Sequence, residues 1–180
     1  PSRHFVPNLS WYEKVSQIGF EQFYGNVTDY CFMALLPAYL ERKGSSLIQM
    51  VDVFIKKSKH PESGFFLYDH ATLIQQLKSL QSRQIPTILI GVSFALLDLA
   101  EQFPTDLSQI IMMETGGMKG RRKEITRSEL HDTLKKAFQV PLIHSEYGMT
   151  ELLSQAYSKG NGIFQPTATM DIFIKEITDP

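Results

Sequence analysis

Short apolar runs alternate along the chain with stretches in which apolar residues recur every three or four positions. A continuous apolar run indicates a strand that is buried on both faces, and the wider spacing indicates an amphipathic helix. Five runs predict strands: Cys31–Leu36, Phe65–Tyr68, Thr87–Ile90, Ile110–Met113 and Pro141–His144. Five helices are predicted, each beginning at a residue that can cap it: Ser10, Ser46, Asp69, Ser93 and Thr126.

The order of these elements predicts the fold class. Strands that alternate with helices favour a parallel sheet, and right-handed crossovers then place helices on both of its faces. The predicted fold is therefore α/β, a doubly wound, mostly parallel five-stranded sheet in a single domain over residues 1–180. Apolar and polar residues alternate over Asp171–Lys175, which predicts a short antiparallel strand at the C-terminus.

Composition and charge exclude several classes of protein. The 180 residues carry 18 Lys and Arg against 19 Asp and Glu, and the net charge of −1 provides no basic field for nucleic acid. One cysteine excludes an intramolecular disulfide and fits a reducing compartment. The apolar runs are too short to span a bilayer and no signal-peptide pattern is present, so we expect a cytoplasmic protein.

The loop after the fourth predicted strand is the first place where chemistry is expected, since open parallel sheets bind ligands beyond the carboxyl ends of their strands. In Glu114–Gly120, the adjacent Gly116 and Gly117 would let a flat ligand approach bare backbone. The spacing matches neither the dinucleotide fingerprint nor the P-loop. Taken alone, a turn that needs positive φ explains these glycines without a ligand.

The loop after the fifth predicted strand, Ser145–Glu151, is the second such place. The Tyr147 ring can stack on a purine, and Gly148 allows a sharp turn. The Thr150 hydroxyl can reach a phosphate oxygen, and the Glu151 carboxylate is a hard oxygen ligand for Mg²⁺. A purely structural explanation stays open, with Thr150 as a helix cap, Glu151 in the first helical turn and Tyr147 in the core.

The order and spacing of the two loops resemble the adenylate-forming superfamily of acyl-CoA synthetases, peptide-synthetase adenylation domains and luciferases. Tyr147–Glu151 matches the Y-G-x-T-E motif of that superfamily residue by residue. The glycine loop lies about one βα unit earlier, as it does in the family. Within the superfamily the chain is most similar to the acyl-protein synthetases of bacterial luminescence operons, on the stretches Pro37–Arg42, Ser45–Leu47 and Glu114–Arg121.

The resemblance implies a role for each residue of the two loops. Gly116, Gly117 and Met118 would border the adenine. Tyr147 would stack on the adenine, with Gly148 beside it. As the catalytic residues, Thr150 would contact the α-phosphate and Glu151 would bind the Mg²⁺ ion. The implied site residues are therefore Gly116, Gly117, Met118, Tyr147, Gly148, Thr150 and Glu151.

Some parts of the superfamily pattern are absent from the chain. The Ser/Thr/Gly-rich phosphate loop is missing, and Pro1–His4 is similar to the stretch that follows it in the family. The Asp that holds the ribose hydroxyls and the C-terminal lid with its catalytic Lys are missing too. We therefore expect a central fragment of the large N-terminal domain of such an enzyme, inactive by itself.

The resemblance also implies a reaction, cofactors and partners. It implies an ATP- and Mg²⁺-dependent ligase that forms an acyl adenylate from a carboxylic acid, with fatty acids among the candidates. The acyl group would then pass to an acceptor protein or to CoA. A non-catalytic doubly wound module that binds or scaffolds other chains is the alternative. Because a fragment would lack neighbouring elements, bare apolar surface predicts self-association.

Several other residues have both a structural and a functional interpretation. Cys31 opens an apolar strand without a neighbouring His, which favours a buried structural thiol over an acyl acceptor. His144 fits the core or the wall of an acyl pocket. Lys119 and Arg121–Lys123 suit a solvated loop, which is favoured, or a surface that meets phosphates of CoA or an acidic partner. Five aromatic residues suit core packing and an acyl tunnel equally: Trp11, Phe20, Phe23, Phe32 and Phe65.

Overall fold

The computed structural model describes residues 4–37, 44–118 and 120–176, so Lys119 and most of Pro37–Arg42 lie outside the described residues. Seven strands form one sheet: β1 Cys31–Leu35, β2 Gly64–Phe66, β3 Thr87–Val92, β4 Ile111–Thr115, β5 Ile143–Gly148, β6 Gln155–Ser158 and β7 Gln165–Pro166. The α-helices in these ranges are α1 Leu9–Tyr24, α2 Ser46–Ser58, α3 His70–Ser82, α4 Ser93–Gln102 and α5 Arg127–Phe138. None of these helices is long and apolar enough to cross a membrane.

The strand order is β2-β1-β3-β4-β5-β6-β7, with the first five strands parallel and β6 and β7 antiparallel. This confirms the predicted doubly wound, mostly parallel sheet, and the antiparallel pair enlarges it from five strands to seven. The crossover from β1 to β2 runs in one direction across the sheet. The crossovers from β2 to β3, β3 to β4 and β4 to β5 run in the opposite direction. Right-handed crossovers therefore put α2 on one face and α3, α4 and α5 on the other. Helix α1 packs against α2, so both faces are covered.

The central strands are buried on both faces, as their apolar sequences require. Every residue of β1 and β3 is buried. The Phe20 ring of α1 lies 5.5 Å from the ring of Phe32 in β1, measured between centroids. Both rings belong to the core, and Phe23 and Phe65 pack against it, whereas Trp11 is 65% exposed. Core packing therefore accounts for four of the five aromatic residues considered above.

Two predicted helix caps are confirmed. The Asp69 carboxylate accepts the Thr72 amide at the start of α3. At the start of α5, Thr126 and Glu129 each accept the other's backbone amide, which completes a capping box. This cap fixes the direction in which α5 begins, and Arg127, its first residue, reaches the carboxyl end of β4.

The other three predicted caps are wrong. The side chain of Asn8 caps α1 by accepting the amide of Ser10, so the cap lies two residues earlier than predicted. The side chain of Ser45 caps α2, which makes Ser46 the first residue of that helix. No side chain caps α4, and Ser93 is its first residue. For α1 and α2, two nearby residues are able to cap the helix, and the sequence pattern does not choose between them.

The C-terminal part of the chain differs most from the prediction. Asp171–Lys175 forms no strand, and residues 171–176 are exposed, so the expected strand at that position is wrong. The antiparallel strands are instead β6 and β7. Strand β6 is fully buried although two of its four residues, Gln155 and Ser158, are polar. Because half of its residues are polar, the apolar pattern of the sequence does not predict this strand.

Candidate active site

The two predicted loops meet at the carboxyl ends of β4 and β5. Both strands are longer than predicted and end at Thr115 and Gly148, so Tyr147 and Gly148 belong to a strand and not to a loop. Thr115 lies opposite Glu146 in the parallel register. Gly116 therefore follows the end of β4 next to Tyr147 on β5, and the backbones of the two paired strands run about 4.8 Å apart.

The Tyr147 side chain lies at the rim of the sheet and is 45% exposed, so it does not take the core position considered above. Its ring contacts the ring of Phe164, with 6.1 Å between centroids and 72° between planes. A tyrosine that is nearly half exposed at the rim is accessible to a flat ligand that stacks on its ring.

The three glycines of the site differ in backbone conformation and in the space around them. Gly116 has a φ of +74°, a region that strains any residue with a side chain. A Cβ on Gly117 would meet no atom within 4 Å, so this position faces open space. The Met118 side chain, 3% exposed, anchors the loop in the core. A Cβ on Gly148 would lie 2.7 Å from Oε1 of Glu146, so a side chain at this position would require that carboxylate to shift.

Thr150–Leu152 forms one turn of 3₁₀ helix directly after β5. No side chain caps this turn, and Thr150 is its first residue, so the capping role considered for Thr150 is not what the structure has. Instead the Thr150 hydroxyl donates to Oγ of Ser46 at 3.0 Å, which ties the turn to the start of α2. Glu151 is exposed. Thr150 is thus held in place, and in the sequence it lies between two exposed residues, Tyr147 and Glu151.

A buried carboxylate joins the two strands, and sequence reasoning did not identify it. Glu146 is 7% exposed, and its Oε2 accepts a hydrogen bond from Oγ1 of Thr115 at 2.5 Å. Burial raises the pKa of Glu146 to about 7, the negative charge of Glu114 adds to this effect, and the Thr115 hydrogen bond opposes it. Tyr12 and Tyr157 face the same carboxylate, whose charge helps to raise their own pKa values.

A second buried carboxylate lies on the other face of the sheet, immediately before the glycine loop. Glu114 is 2% exposed, its Oε2 accepts a hydrogen bond from Ser93, and its Oε1 accepts one from Nε of Arg127 at 3.3 Å. The His131 ring nitrogen Nε2 lies 3.6 Å from that Oε1. Burial would raise the pKa of Glu114, but the neighbouring His131, Ser145 and Arg127 together outweigh burial and hold the pKa below its usual range.

His144 and Cys31 have structural surroundings. Nδ1 of His144 forms a hydrogen bond with the Tyr24 hydroxyl at 3.0 Å. Burial lowers the pKa of His144 to about 4, and the charge of Lys159 adds to that effect. Cys31 is 0% exposed, and burial raises the pKa of its thiol. A thiol that is buried and protonated is a poor nucleophile, so Cys31 suits packing better than acyl transfer.

The basic segment near the glycine loop is held by contacts within the chain. Arg122 donates to Asp98 and to Glu101. The Arg121 guanidinium lies 5.3 Å from the centroid of the Phe94 ring. These contacts fit an anchored surface loop. Across the described part of the chain, no group of three or more His, Cys, Asp and Glu side chains is placed to hold a metal ion.

The fold is similar to that of a solved structure, the R395G mutant form of coronafacic acid ligase from Pectobacterium brasiliense. The two chains are 17% identical, with a TM-score of 0.60 over 95% of this chain. This chain spans 33% of the length of that ligase. No protein-family model and no curated protein matches the chain. At this level of identity the likeness establishes a common fold.

Proposed function

We propose that this chain is part of an ATP-dependent acyl-activating ligase. A carboxylate oxygen of the acid substrate would bond to the α-phosphorus of ATP, and pyrophosphate would leave with the electron pair of the broken bond. The acyl adenylate formed in this way would then transfer its acyl group to a protein or to the thiol of CoA. Carboxylic acids, fatty acids included, are the proposed substrate class. By the same resemblance, the phosphate-loop and lid functions would come from segments outside this chain.

One observation carries the proposal. The residues that match Y-G-x-T-E stand at the carboxyl end of β5, with the Tyr147 ring and the Glu151 carboxylate both exposed. The adjacent strand β4 ends at the same edge and is followed by Gly116 and Gly117, which offer bare backbone. A base that stacked on Tyr147 would therefore lie beside backbone amides and carbonyls that can hydrogen-bond its edge. The ligase fold of the structural neighbour supports the same proposal.

In the proposed reaction, Thr150 would orient the α-phosphate and Glu151 would bind the metal ion that offsets negative charge. Thr150 would direct its hydroxyl to the α-phosphate, and its hydrogen bond to Ser46 keeps the turn in a defined position until nucleotide arrives. Two anions must approach one another in this reaction, so positive charge is needed to offset their repulsion. Bound Mg²⁺ supplies that charge. A single exposed carboxylate such as Glu151 fits this ion, because Mg²⁺ commonly binds one or two carboxylates together with substrate phosphates and water.

The direct test is ATP–pyrophosphate exchange in the full-length protein with a series of carboxylic acids of increasing chain length. We expect exchange with at least one acid. Tyr147→Ala should raise the KM for ATP, since a base–aromatic stack contributes roughly 1–3 kcal/mol. Glu151→Gln should lower the exchange rate at least tenfold, since a metal clamp provides several kcal/mol of transition-state stabilisation.

Two exposed residues provide matched controls. Tyr68→Ala removes a ring that is 60% exposed, and Glu124→Gln neutralises an exposed carboxylate outside the motif. Both control variants should exchange at the wild-type rate. Absence of exchange with every acid, in a protein whose circular dichroism shows a folded sheet, would contradict the proposal and favour the non-catalytic binding module.

A further inference from the structure

The exposed Tyr147 ring has an aromatic neighbour that does not belong to the motif. Phe164 comes from the segment between β6 and β7, and its ring meets that of Tyr147 at 72° with 6.1 Å between centroids. Edge-to-face contact of this kind favours one relative orientation of two rings. Tyr147 is 45% exposed, so the contact with Phe164 restricts a ring that is open to solvent on part of its surface.

Phe164 is itself held by a cation that is anchored in the sheet. The Arg127 guanidinium lies 4.8 Å from the centroid of the Phe164 ring, within the range of a cation–π interaction. Nε of the same guanidinium donates to Oε1 of Glu114 at 3.3 Å. Glu114 is 2% exposed, so its carboxylate is a fixed point on β4. A continuous set of contacts thus runs from Glu114 through Arg127 and Phe164 to Tyr147.

The turn that carries Phe164 is shaped to approach Arg127. Gly162 has a φ of +67°, and a Cβ there would come within 3.5 Å of Cδ of Arg127. The β6–β7 turn therefore packs against the stem of this arginine while Phe164 covers its charged head. Arg127 thus lies against both Gly162 and Phe164, and its hydrogen bond to Glu114 couples the turn to β4.

We propose that Phe164, held in place by Arg127 and Glu114, is a positioning residue that fixes the Tyr147 ring for stacking on a nucleotide base. This inference rests on the proposed function. A ring that is free to rotate must be immobilised when the ligand binds, and this loss of freedom weakens binding. Removal of the Phe164 ring is therefore expected to weaken nucleotide binding roughly three- to tenfold without touching the ligand.

The test compares nucleotide affinity and kinetics in the full-length protein. Phe164→Leu keeps an apolar side chain but removes the ring, and Phe164→Tyr restores it. In Phe164→Leu the dissociation constant of AMP and the KM for ATP should rise together, whereas the KM for pyrophosphate, which has no base, should not change. Phe164→Tyr should bind AMP as the wild type does. In a Tyr147→Ala background, Phe164→Leu should have no further effect, because the ring that it positions is gone.

Two further variants separate positioning from a general loss of structure. Phe103 is also a partly buried ring in edge-to-face contact, with His70 at 6.4 Å between centroids, so Phe103→Leu is the matched control and should leave AMP affinity unchanged. If Phe164→Leu fails to fold, Arg127→Gln removes the cation from the same ring and should weaken AMP binding in the same direction.

The possible failures are distinguishable. If Tyr147→Ala weakens AMP binding but neither Phe164→Leu nor Arg127→Gln does, the positioning role is wrong and the proposed function stands. An additive effect of Phe164→Leu in the Tyr147→Ala background would also overturn the positioning role. If AMP does not bind to the wild-type protein, or Tyr147→Ala leaves its affinity unchanged, the nucleotide site itself is wrong.

Discussion

The Thr115 hydroxyl donates to the buried Glu146 carboxylate across the β4–β5 pair, with 2.5 Å between Oγ1 and Oε2. One of these residues directly precedes the glycine loop and the other directly precedes Tyr147. Their hydrogen bond therefore fixes the two sides of the candidate site relative to each other. A change in the protonation of Glu146 would therefore change a hydrogen bond that holds the ends of β4 and β5 together.

The first prediction concerns pH and stability. The pKa of Glu146 is about 7 in the folded state and near 4.5 in an exposed chain, so between these values the folded state binds the extra proton. The free energy of unfolding should therefore fall as pH rises from about 4.5 to about 7, by on the order of 3 kcal/mol from this residue. Glu146→Gln should remove this contribution in urea denaturation at pH 5 and pH 8. A pH dependence equal to that of the wild type would contradict it.

The second prediction separates the two glycines of the loop. Gly116→Ala should lower the free energy of unfolding by about 1 kcal/mol, because its positive φ strains a residue with a side chain. Gly117→Ala should leave stability nearly unchanged, since the added methyl group meets no atom. That methyl group would nevertheless occupy the space offered to the base, so AMP affinity should fall severalfold. Thermal unfolding and calorimetric titration measure the two effects, and unchanged AMP affinity in Gly117→Ala would contradict the placement of the base.

The third prediction assigns two functions to one hydroxyl. Thr150→Val should destabilise the fold by about 1 kcal/mol, because its hydrogen bond to Ser46 is lost, and should also lower the rate of acyl-adenylate formation. Ser46→Ala removes the same hydrogen bond but keeps the Thr150 hydroxyl. It should reproduce the loss of stability with a much smaller loss of rate. Equal losses of rate in the two variants would show that Thr150 acts only through the fold.

The fourth prediction concerns the reactivity of the single cysteine. Cys31 is fully buried and its thiol has a raised pKa, so iodoacetamide should modify it slowly at neutral pH and rapidly in denaturant. An activated fatty acyl thioester should leave it unlabelled in the folded protein. Mass spectrometry of the digested protein measures both reactions. Rapid acylation of Cys31 under native conditions would overturn the structural assignment.

The fifth prediction concerns association between copies of the chain. Ile172, Phe173 and Ile174 are 69%, 84% and 96% exposed, and three adjacent apolar side chains in water favour association. Light scattering should show a mass that increases with protein concentration, and a variant with all three residues changed to Ser should remain monomeric. A wild-type chain that stays monomeric at high concentration would contradict this prediction.

The sequence predicts those parts of the fold in which apolar periodicity is strong. The buried run at β1 and the capping box at Thr126 are both where the pattern places them. The ends of β4 and β5 were missed because Glu114 and Glu146 are charged residues inside strands, and polarity there indicates a loop. Their burial depends on partners from other elements, such as the hydroxyl of Thr115, which no local pattern shows.

The motif residues were identified from the sequence, but their surroundings were not. The match at Tyr147–Glu151 depends on spacing along one strand and turn, which a linear pattern records. Phe164 and Arg127 lie 17 and 20 positions away from Tyr147, and only the antiparallel β6–β7 pair and the start of α5 bring them together. A single sequence does not predict contacts between residues that are this far apart along the chain.

The proline in β7 has a consequence for how the sheet can grow. The Thr167 amide donates inward to the carbonyl of Gln155, so the backbone nitrogen of Pro166, one residue earlier on the extended chain, points outward. That nitrogen carries no hydrogen and cannot donate to an added strand. Pairing of a further strand with β7 is therefore disfavoured. Among the described residues, β2 forms the opposite edge of the sheet, where a further strand could pair.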